Sequence, residues 1–342
     1  MGCMKALVLR DAFGLDHLSI EERPEPKPGP GQVLLRMRAA SLNFRDIRML
    51  EGLYNPRQAL PLVPASDGVG EVVELGEGVE RVATGERVCP MFAQGWIAGG
   101  PRRERIRRTL GGPLDGTLAE YMVVDAESVV RAPGHMSDEQ AACLPCAGVT
   151  AWSALVTTGS VKPGDVVLTE GTGGVSIFAL QIAKLLGARV IATSSSDTKL
   201  ERAKELGASE VINYKKDREW GKTARGFTVG ARGVDHVVEV GGGATLPQAL
   251  KAIAPGGRIS IIGVLSGVAT DLSLLPILMN GIRLQGVFVG HRDAFEALAQ
   301  ACEVNQLDPV IEHVYPLEEA RDAFEHMKSS GQFGKICVSI AE

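Results

Sequence analysis

A regular alternation of apolar strand-like runs and helix-like segments constrains the fold of this 342-residue chain more than any other feature. The strand-like runs are Asp165–Thr169, Arg189–Thr193, His236–Val240 and Arg258–Ile262. Segments with helical spacing follow the first two of them, at Ile177–Leu186 and Asp197–Leu206. The alternation begins after a capping box at Ser137–Gln140. Continuously apolar strands that alternate with helices predict a parallel sheet covered by helices on both faces.

The first 130 or so residues have a different pattern, in which short β runs are broken by Gly and Pro. These runs are Val33–Arg38, Gly70–Leu75 and Glu86–Cys89. Dense turns without helical periodicity predict a small barrel-like β domain. After about Val287 we expect a helix, a strand over Val310–Tyr315, another helix and a closing strand over Lys335–Ile340. This tail is short for a third domain, so we expect it to return to the first one.

Composition and charge exclude several classes of protein. The chain is 45% hydrophobic and 23% charged, with a net charge of −5, which gives nucleic acid no global electrostatic footprint. No apolar run approaches the roughly 18 residues of a membrane span, and the N-terminus carries no signal-like pattern. Six scattered cysteines suggest no disulfide framework. We therefore expect a cytoplasmic protein with neither a nucleic-acid nor a membrane partner.

A glycine-rich turn joins the strand-like run that ends near Thr169 to the helix-like segment after it. Its residues are Gly171, Thr172, Gly173, Gly174, Val175 and Ser176. Glycines in this context allow a tight turn and a close approach to a pyrophosphate, whose charge the helix N-terminus then meets. Ser176 stands where the third glycine of the motif is usual. The turn predicts a dinucleotide site, and a purely structural turn is the alternative.

The end of the next strand bears on the choice between NAD and NADP. An acidic residue there binds the ribose 2′-hydroxyl and repels a 2′-phosphate. This chain has Ser194 and Ser195 at that point, with Asp197 further on and Lys199 behind it. Hydroxyls beside a cation favour a phosphate and therefore NADPH. Ordinary helix capping also explains the serines and is compatible with that role.

Several stretches together resemble the medium-chain dehydrogenase/reductase superfamily over nearly the whole chain. They are Ser41–Asp46, Glu139–Ala142, Ala147–Trp152, Gly171–Val175, Leu206–Ala208 and Pro255–Arg258. The zinc-free quinone oxidoreductase and zinc-type alcohol dehydrogenase-like branch is the most similar. The resemblance implies an α/β fold in which a Rossmann doubly wound parallel sheet is inserted in a GroES-like β-barrel catalytic domain. We expect the catalytic domain at 1–126 and 287–342 and the Rossmann domain at 127–286.

The resemblance also implies which residues meet the cofactor. Those expected to line the nicotinamide are Thr150, Val240, Gly241, Gly263, Val264, Val287, Phe288 and Val289. Tyr214 is expected to flank the adenosine phosphate, together with Ser194, Ser195 and Lys199, and Lys335 matches a position near the cofactor.

Zinc-dependent members of the superfamily place Cys, His and Cys where this chain has Asn43, Ser66 and Cys146. One thiol remains of three ligands, and a catalytic zinc needs three protein ligands. The lobe that holds structural zinc in those relatives falls near Ala98–Gly112, which contains no cysteine. We therefore predict no metal. Cys143 and Cys146 form a C-x-x-C, a pattern of redox pairs and metal sites, but buried small hydrophobes are the better interpretation.

Without zinc, another group must stabilise negative charge on the substrate oxygen and supply a proton. Tyr54 precedes Pro61 at the spacing seen in enoyl-thioester reductases of the superfamily, and this resemblance implies that Tyr54 is the candidate acid. Loop packing is its alternative role. Asn43 can orient substrate or water, and Asp46 either acts in catalysis or anchors the local backbone or Arg48. Residues that could wall a substrate pocket, or simply belong to the core, are Phe44, Phe92 and Phe288.

These features predict an NADPH-dependent oxidoreductase that transfers hydride to a quinone, an enone or a similar small carbonyl compound. The alternatives are an enoyl-thioester or alkenal reductase, and a non-catalytic NADPH-binding module that senses redox state or associates with RNA. The last would use the basic run Arg102–Arg108, which is more often a solvated lobe. The resemblance implies that the Rossmann sheets of two subunits pair at an edge strand near Arg283–Val287, beside the apolar stretch Leu272–Met279, and we therefore expect a homodimer. The apolar residues of that stretch could instead pack inward as core.

Overall fold

The computed structural model describes residues 2–329 and 331–341, and its regular elements are numbered here in chain order. The strands are β1 Cys3–Leu9, β2 Leu18–Pro24, β3 Gln32–Ser41, β4 Asp67–Leu75, β5 Arg87–Pro90, β6 Tyr121–Asp125, β7 Val129–Arg131, β8 Val166–Glu170, β9 Arg189–Ser194, β10 Glu210–Asn213, β11 Val234–Glu239, β12 Ile253–Ile261, β13 Arg283–Gly286, β14 Ile311–Pro316 and β15 Lys335–Ser339. The helices are α1 Phe44–Leu50, α2 Arg103–Ile106, α3 Asp138–Ala142, α4 Val149–Trp152, α5 Gly174–Leu185, α6 Asp197–Glu205, α7 Trp220–Gly226, α8 Leu246–Ala252, α9 Leu275–Asn280, α10 Arg292–Asn305 and α11 Ala320–Lys328.

The chain divides into two compact units, one of Met1–Val149 with Gly290–Glu342 and the other of Thr150–Val289. The sequence placed the boundaries after residues 126 and 286, whereas the units divide after Val149 and Val289. The first difference arises because residues 127–149 pair and pack within the first unit. β7 pairs with β5, and α3 packs on β3 and β4.

The second unit is built on a six-stranded sheet in the order β10-β9-β8-β11-β12-β13, with every neighbouring pair parallel. The four strand-like runs of the sequence coincide with β8, β9, β11 and β12, so the predicted parallel sheet is confirmed. Side chains alternate between the two faces of a strand. Leu168 and Val237 lie on one face and share an apolar cluster with Trp220 of α7 and Ala249 of α8.

The first unit contains a sheet in the order β14-β15-β3-β4-β5-β7, with β6 also paired to β3, and a separate β1–β2 pair. β15 runs antiparallel to β3 and β14 parallel to β15. The carboxyl-terminal segment therefore completes the sheet that the amino-terminal segment begins. This pairing brings Lys335, at the start of β15, to the same region as the end of β3.

The predicted capping box at Ser137 is present. The backbone N–H of Gln140 donates to Ser137 Oγ at 3.2 Å, and the Ser137 N–H donates to Gln140 Oε1 at 2.9 Å. The helix that it opens ends at Ala142, and a π-type turn follows over Leu144–Gly148. Pro145 lacks an N–H, which interrupts the helical hydrogen bonds at this point. Among the described residues, no helix is both long enough and apolar enough to cross a membrane.

Candidate functional site

The turn between β8 and α5 has the geometry of an anion-binding loop. Gly171 has φ +72°, a left-handed conformation that L side chains rarely adopt. Gly173 is the N-cap of the 12-residue α5 and no side chain caps it. A Cβ built on either glycine would meet no atom within 4 Å, so the turn is open on the ligand side. The N–H groups of the first turn of α5 are thus available to an anion.

Ser176 occupies the third glycine position without disturbing the turn. Its side chain is buried, and its hydroxyl donates to the carbonyl oxygen of Glu170 at 2.6 Å. The serine therefore ties α5 to the end of β8, where a glycine would only allow close packing.

Polar groups cluster at the end of β9, where the 2′-phosphate is expected. The capping residue of α6 is Ser196, whose Oγ accepts from the Lys199 N–H at 3.5 Å. Ser194 is buried, and its carbonyl accepts from the Tyr214 N–H at 3.1 Å, which brings Tyr214 to this end of the sheet. Ser194 and Ser195 thus lie at the end of β9, next to the first turn of α6 with Lys199, and the Tyr214 backbone is bound there.

Two residues at this place were not predicted. Asn213 Nδ2 and Lys216 Nζ bind the Asp197 carboxylate, at 2.7 and 2.5 Å. The hydrogen bond from Lys216, followed by that from Asn213, lowers the pKa of Asp197. The one acidic side chain in the first turn of α6 is therefore paired with a cation. In the sequence, these two residues could have been found from the Asn213–Lys216 segment at the end of β10.

The loops after β11 and β12 bind each other. The Ser266 N–H donates to the Gly241 carbonyl at 2.7 Å, and the Gly243 N–H donates to the Gly267 carbonyl at 2.8 Å. A Cβ on Gly263 would lie 2.4 Å from the Val240 carbonyl oxygen, so a larger residue cannot replace it without movement. Residues predicted to line the nicotinamide are brought together here, namely Val240, Gly241, Gly263 and Val264.

The other residues predicted beside the nicotinamide lie at the boundaries of the second unit. The Val287 N–H donates to the Ile261 carbonyl at 3.0 Å, which continues β13 along β12. Val289 has φ +45°, a left-handed conformation that is strained for a β-branched residue. Phe288, which lies between Val287 and Val289 in the sequence, is half-buried. Thr150, the first residue of the second unit, is buried.

In the first unit, a buried lysine binds the predicted catalytic asparagine. Lys335 Nζ donates to Asn43 Oδ1 and to the Leu42 carbonyl, each at 2.6 Å. Asn43 Nδ2 donates in turn to Ser66 Oγ at 3.4 Å. Lys335 was predicted near the cofactor, and the structure places its ammonium on Asn43.

The chain of hydrogen bonds continues to Asp67, a residue that sequence reasoning missed. Its Oδ1 accepts from Ser66 Oγ at 2.7 Å, and its Oδ2 accepts from the Cys146 N–H at 3.0 Å. Burial raises the pKa of Asp67 to about 6, and the positive charge of Lys335 opposes that rise. The four side chains Lys335, Asn43, Ser66 and Asp67 are called the Lys335–Asp67 chain below.

Asp46 anchors this region and faces Arg45, although the sequence suggested Arg48 as its partner. Asp46 Oδ2 accepts from the Asn43 N–H at 2.9 Å, and Arg45 Nη1 donates to its Oδ1 at 3.2 Å. Arg48 pairs instead with Glu51 at 3.4 Å. Burial raises the pKa of Asp46, with Arg45 as the largest opposing influence. Both oxygens of Asp46 are therefore engaged, one by the local backbone and one by Arg45.

Arg45 also holds the predicted acid. Its guanidinium lies 4.8 Å from the ring centroid of Tyr54 and 5.1 Å from that of Phe92. Its Nη1 also donates to the Leu110 carbonyl at 2.8 Å, which holds the guanidinium in place. Tyr54 remains 45% exposed, whereas Phe92 is buried. The arginine therefore orients a tyrosine that solvent and small molecules can reach.

The phenylalanines predicted as pocket walls differ in their exposure. Phe44, on α1, is exposed, and Phe92 is buried under Arg45. Both belong to the first unit, whereas Phe288 belongs to the second.

Two family models match this chain. Residues 29–134 match the alcohol dehydrogenase GroES-like domain, and residues 174–303 match the zinc-binding dehydrogenase family. A zinc-type alcohol dehydrogenase-like protein of Schizosaccharomyces pombe is 41% identical over 344 residues, which cover 98% of this chain and 99% of that protein. The chain belongs to the medium-chain dehydrogenase/reductase superfamily.

Other members of the superfamily show how far the likeness extends. The quinone oxidoreductase-like protein 2 of Bos taurus is 30% identical over a match that spans 93% of this chain and 88% of that protein. A crystal structure of a candidate alcohol dehydrogenase of Sinorhizobium meliloti 1021 superposes with a TM-score of 0.93 at 41% identity, covering 99% of this chain and 100% of that one. The GroES-like domain with an inserted Rossmann sheet is thereby confirmed. The protein is an oxidoreductase of a superfamily that binds nicotinamide cofactors and acts on small molecules.

The positions that hold catalytic zinc in some members of the superfamily carry an amide, a hydroxyl and a thiol in this chain. Asn43 and Ser66 bind each other, and burial followed by the charge of Asp67 raises the pKa of the Cys146 thiol. A zinc ligand must be a thiolate, an imidazole or a carboxylate. Within residues 2–329 and 331–341, no three His, Cys, Asp or Glu side chains converge as a metal site. This donor set does not fit a catalytic zinc.

The two cysteines of the C-x-x-C have different surroundings. Cys143 Sγ lies 3.5 Å from Cys337 Sγ and is buried, whereas Cys146 is half-buried beside Asp67. Both thiols are free, as is Cys337. The two thiols of the pattern therefore contact different groups.

Proposed function

We propose that this protein is a zinc-independent, NADPH-dependent oxidoreductase that transfers hydride to a quinone, an enone or a similar small carbonyl compound. The observation that carries the proposal is the Lys335–Asp67 chain. Two of the zinc-ligand positions are occupied by Asn43 and Ser66, which bind each other. The same chain aligns the hydrogen-bond donors that a reduction without metal requires. The similarity to a quinone oxidoreductase-like protein supports the substrate class.

The second unit supplies the cofactor groups. The first turn of α5 takes the pyrophosphate through free backbone N–H groups. Ser194, Ser195, Lys199 and Tyr214 take the 2′-phosphate, and the bound loops after β11 and β12 lie beside the nicotinamide. NADPH supplies the hydride when it is bound.

The first unit supplies the groups that act on the substrate oxygen. Lys335 binds the oxygen of the Asn43 amide and one N–H of that amide donates to Ser66, so the second N–H is left to donate to the substrate. Such a donor stabilises the negative charge that hydride addition places on oxygen. The Tyr54 hydroxyl then delivers a proton, and the position of its ring is set by Arg45. Hydride to carbon and proton to the product complete a two-electron reduction.

The choice of NADPH over NADH follows from charge at the end of β9. A carboxylate at that point repels a 2′-phosphate. Asp197 is the acidic residue nearest to Ser194 in the sequence. Lys216 and Asn213 bind its carboxylate. At the end of β9, hydroxyl groups and cations are thus more numerous than carboxylates that lack a cationic partner.

A homodimer is part of the proposal. β13 is an edge strand of the parallel sheet, and all four of its residues are exposed. The preceding α9 segment exposes large apolar side chains, with Leu274 at 72% and Leu278 at 76%. An apolar patch beside an open edge is an aggregation hazard unless a partner covers it.

Reduction of an enoyl thioester or alkenal is the second candidate, because an exposed tyrosine that an arginine orients also suits proton donation to carbon. The RNA-associated alternative has less support. In the basic run, Arg105 binds the Ala98 carbonyl at 2.7 Å and Arg108 lies 3.6 Å from Asp125 of β6, so two of its five arginines have partners within the protein.

Steady-state reduction of a panel of quinones, enones, aldehydes and enoyl thioesters tests the proposal. We expect NADPH-dependent turnover that survives exhaustive chelation, and elemental analysis that finds no stoichiometric zinc. Tyr54→Phe should lower kcat by about 10²-fold or more while leaving NADPH binding intact. Activity that chelation abolishes and zinc alone restores contradicts the proposal, as does RNA binding without turnover.

A further inference from the structure

Two glutamates end adjacent parallel strands directly before the two loops of the proposed cofactor site. Glu170 is the last residue of β8 and Glu239 the last of β11. The register pairs Val238 with Thr169, so the two glutamates are the next neighbours across the sheet. Side-chain alternation places them on the same face as Leu168 and Val237. Both are buried, Glu239 completely.

The hydrogen bonds of the pair are unevenly distributed. Glu239 Oε1 accepts from the Gly241 N–H and the Gly242 N–H, each at 2.8 Å, and from Thr245 Oγ1 at 2.6 Å. Glu239 Oε2 and both carboxyl oxygens of Glu170 are buried without a protein donor. Buried acceptors without a donor are costly. A proton held between the two carboxyls supplies the missing donor.

Among the residues that the structure describes, neither carboxyl accepts a hydrogen bond from a cationic side chain. The sheet neighbours of Glu170 on β9 and of Glu239 on β12 are Thr193 and Ile261, which are uncharged. The helices α5 and α8 pack on these strands, and their first turns hold no acidic residue. Their basic residues, Lys184 and Lys251, lie in the last turns, where they bind the Leu206 carbonyl and Glu219.

The electrostatics of Glu170 agree with this arrangement. Burial, then the charge of Glu239 and a hydrogen bond with it, raise the pKa of Glu170 well above its usual range. The Gly241 N–H and the Thr245 hydroxyl act in the opposite direction. The proton therefore resides on Glu170, beside the Glu239 carboxyl and its three donors.

We propose that Glu170 and Glu239 share one proton and that this proton links dinucleotide binding to pH, with both glutamates acting as positioning residues. The proposal rests on the cofactor site of the proposed function. Glu170 precedes Gly171, and its carbonyl holds Ser176 of α5. Glu239 shapes the Gly241–Thr245 loop through its three hydrogen bonds. One proton thus joins the pyrophosphate turn to the loop beside the nicotinamide.

The direction of the effect follows from charge. Loss of the proton leaves two buried negative charges side by side, directly behind the turn that takes the anionic pyrophosphate. Repulsion between them separates the two loops and opposes the incoming phosphates. Dinucleotide affinity therefore falls as pH rises through the titration of the pair, by up to about tenfold per pH unit for one linked proton.

Glu170→Gln isolates this proton. The amide has nearly the same shape, and its NH₂ donates permanently to Glu239 Oε2 without titrating. We expect the Kd of wild-type protein for NADPH and for NADH to rise as pH rises through the titration of the pair, and that of Glu170→Gln to stay nearly flat over the same range. NADH is included because phosphate monoesters titrate near pH 6 and would add a slope with NADPH alone.

The matched control is Glu210→Gln, a carboxyl-to-amide change at the start of edge strand β10 of the same sheet, which should keep the wild-type pH profile. The pH dependence of urea unfolding of the free protein gives a readout that needs no cofactor. Since the folded pKa of Glu170 is raised, wild-type stability should fall with rising pH relative to Glu170→Gln.

Each outcome separates this proposal from the proposed function. Parallel unfolding profiles of wild type and Glu170→Gln overturn the shared proton, whatever the protein binds. Diverging unfolding profiles with parallel Kd profiles overturn the link to the cofactor. Absence of any dinucleotide binding overturns the proposed function and the link with it, while the unfolding profiles still decide the shared proton. If Glu170→Gln fails to fold, Glu239→Gln, which also removes the carboxyl pair, replaces it in both measurements.

Discussion

Lys335 Nζ lies 2.6 Å from Asn43 Oδ1, so a lysine near the end of the chain determines which way an amide near its beginning points. An ammonium group can only donate, and the amide must therefore present its oxygen to the lysine and its NH₂ to Ser66. The contact converts a group that can both donate and accept into a directed donor.

Lys335→Met should destabilise the protein and lower turnover together. The methionine removes the cation that opposes the raised pKa values of two buried carboxyls, Asp46 and Asp67. Loss of one partner from a buried charged group costs about 3–5 kcal/mol. Urea unfolding and kcat measure the two effects, and Lys328→Met, at an exposed lysine paired with Glu51, is the control. A Lys335→Met protein as stable as the control variant contradicts the charge balance described here.

Asp67 should make stability depend on pH in the acid range. Its folded pKa of about 6 lies above the ordinary value of 3.8, so the folded state holds a proton that the unfolded chain releases. This contribution is fully present below about pH 4 and is lost as pH rises through 6, a change of about 3 kcal/mol. The difference in unfolding free energy between wild type and Asp67→Asn, measured across that window, reports it. Equal slopes for the two proteins rule out the raised pKa.

The sequence predicted those parts of the molecule that depend on neighbouring residues. The strands β8, β9, β11 and β12 follow from apolar runs, and the Gly171–Ser176 turn follows from glycines next to a strand and a helix. The Ser137 capping box is equally local. These features need no knowledge of which distant segments meet.

The Lys335–Asp67 chain could not be predicted in this way because its members come from three distant segments, β15, the start of α1 and the start of β4. Arg45 carried no signal either, since its contacts with Tyr54 and Phe92 depend on the path of two loops. Glu239 did carry a signal. It is a charged residue at the end of the apolar run His236–Val240, and a buried carboxylate there requires donors from the following loop.

Cofactor preference should reverse in Ser194→Asp. The new carboxylate lies where the 2′-phosphate is expected, and like charges in contact cost several kcal/mol. We expect NADPH to bind about a hundredfold more weakly or worse, with little loss for NADH. Fluorescence titration with both cofactors measures this change. Ser209→Asp, at an exposed position before β10, adds the same charge as a control. Equal dissociation constants for NADPH and NADH in the unmodified protein remove the basis of the prediction.

The protein should be a homodimer through β13 and the α9 segment. A 36.2 kDa chain would then give about twice that mass by light scattering at micromolar concentration.

Leu284→Pro removes an N–H from the exposed edge strand, and Leu278→Glu places a charge on the apolar surface of α9, so both variants should dissociate the pair. Val304→Glu changes a side chain that is 68% exposed on α10 of the first unit and should leave the mass unchanged. Leu278→Glu is the more selective of the two changes, because it lies outside the sheet and does not remove a strand hydrogen bond. A monomer mass for the unmodified protein, or a dimer that persists in both Leu284→Pro and Leu278→Glu, shows that the apolar surface of α9 and the edge of β13 are not the interface.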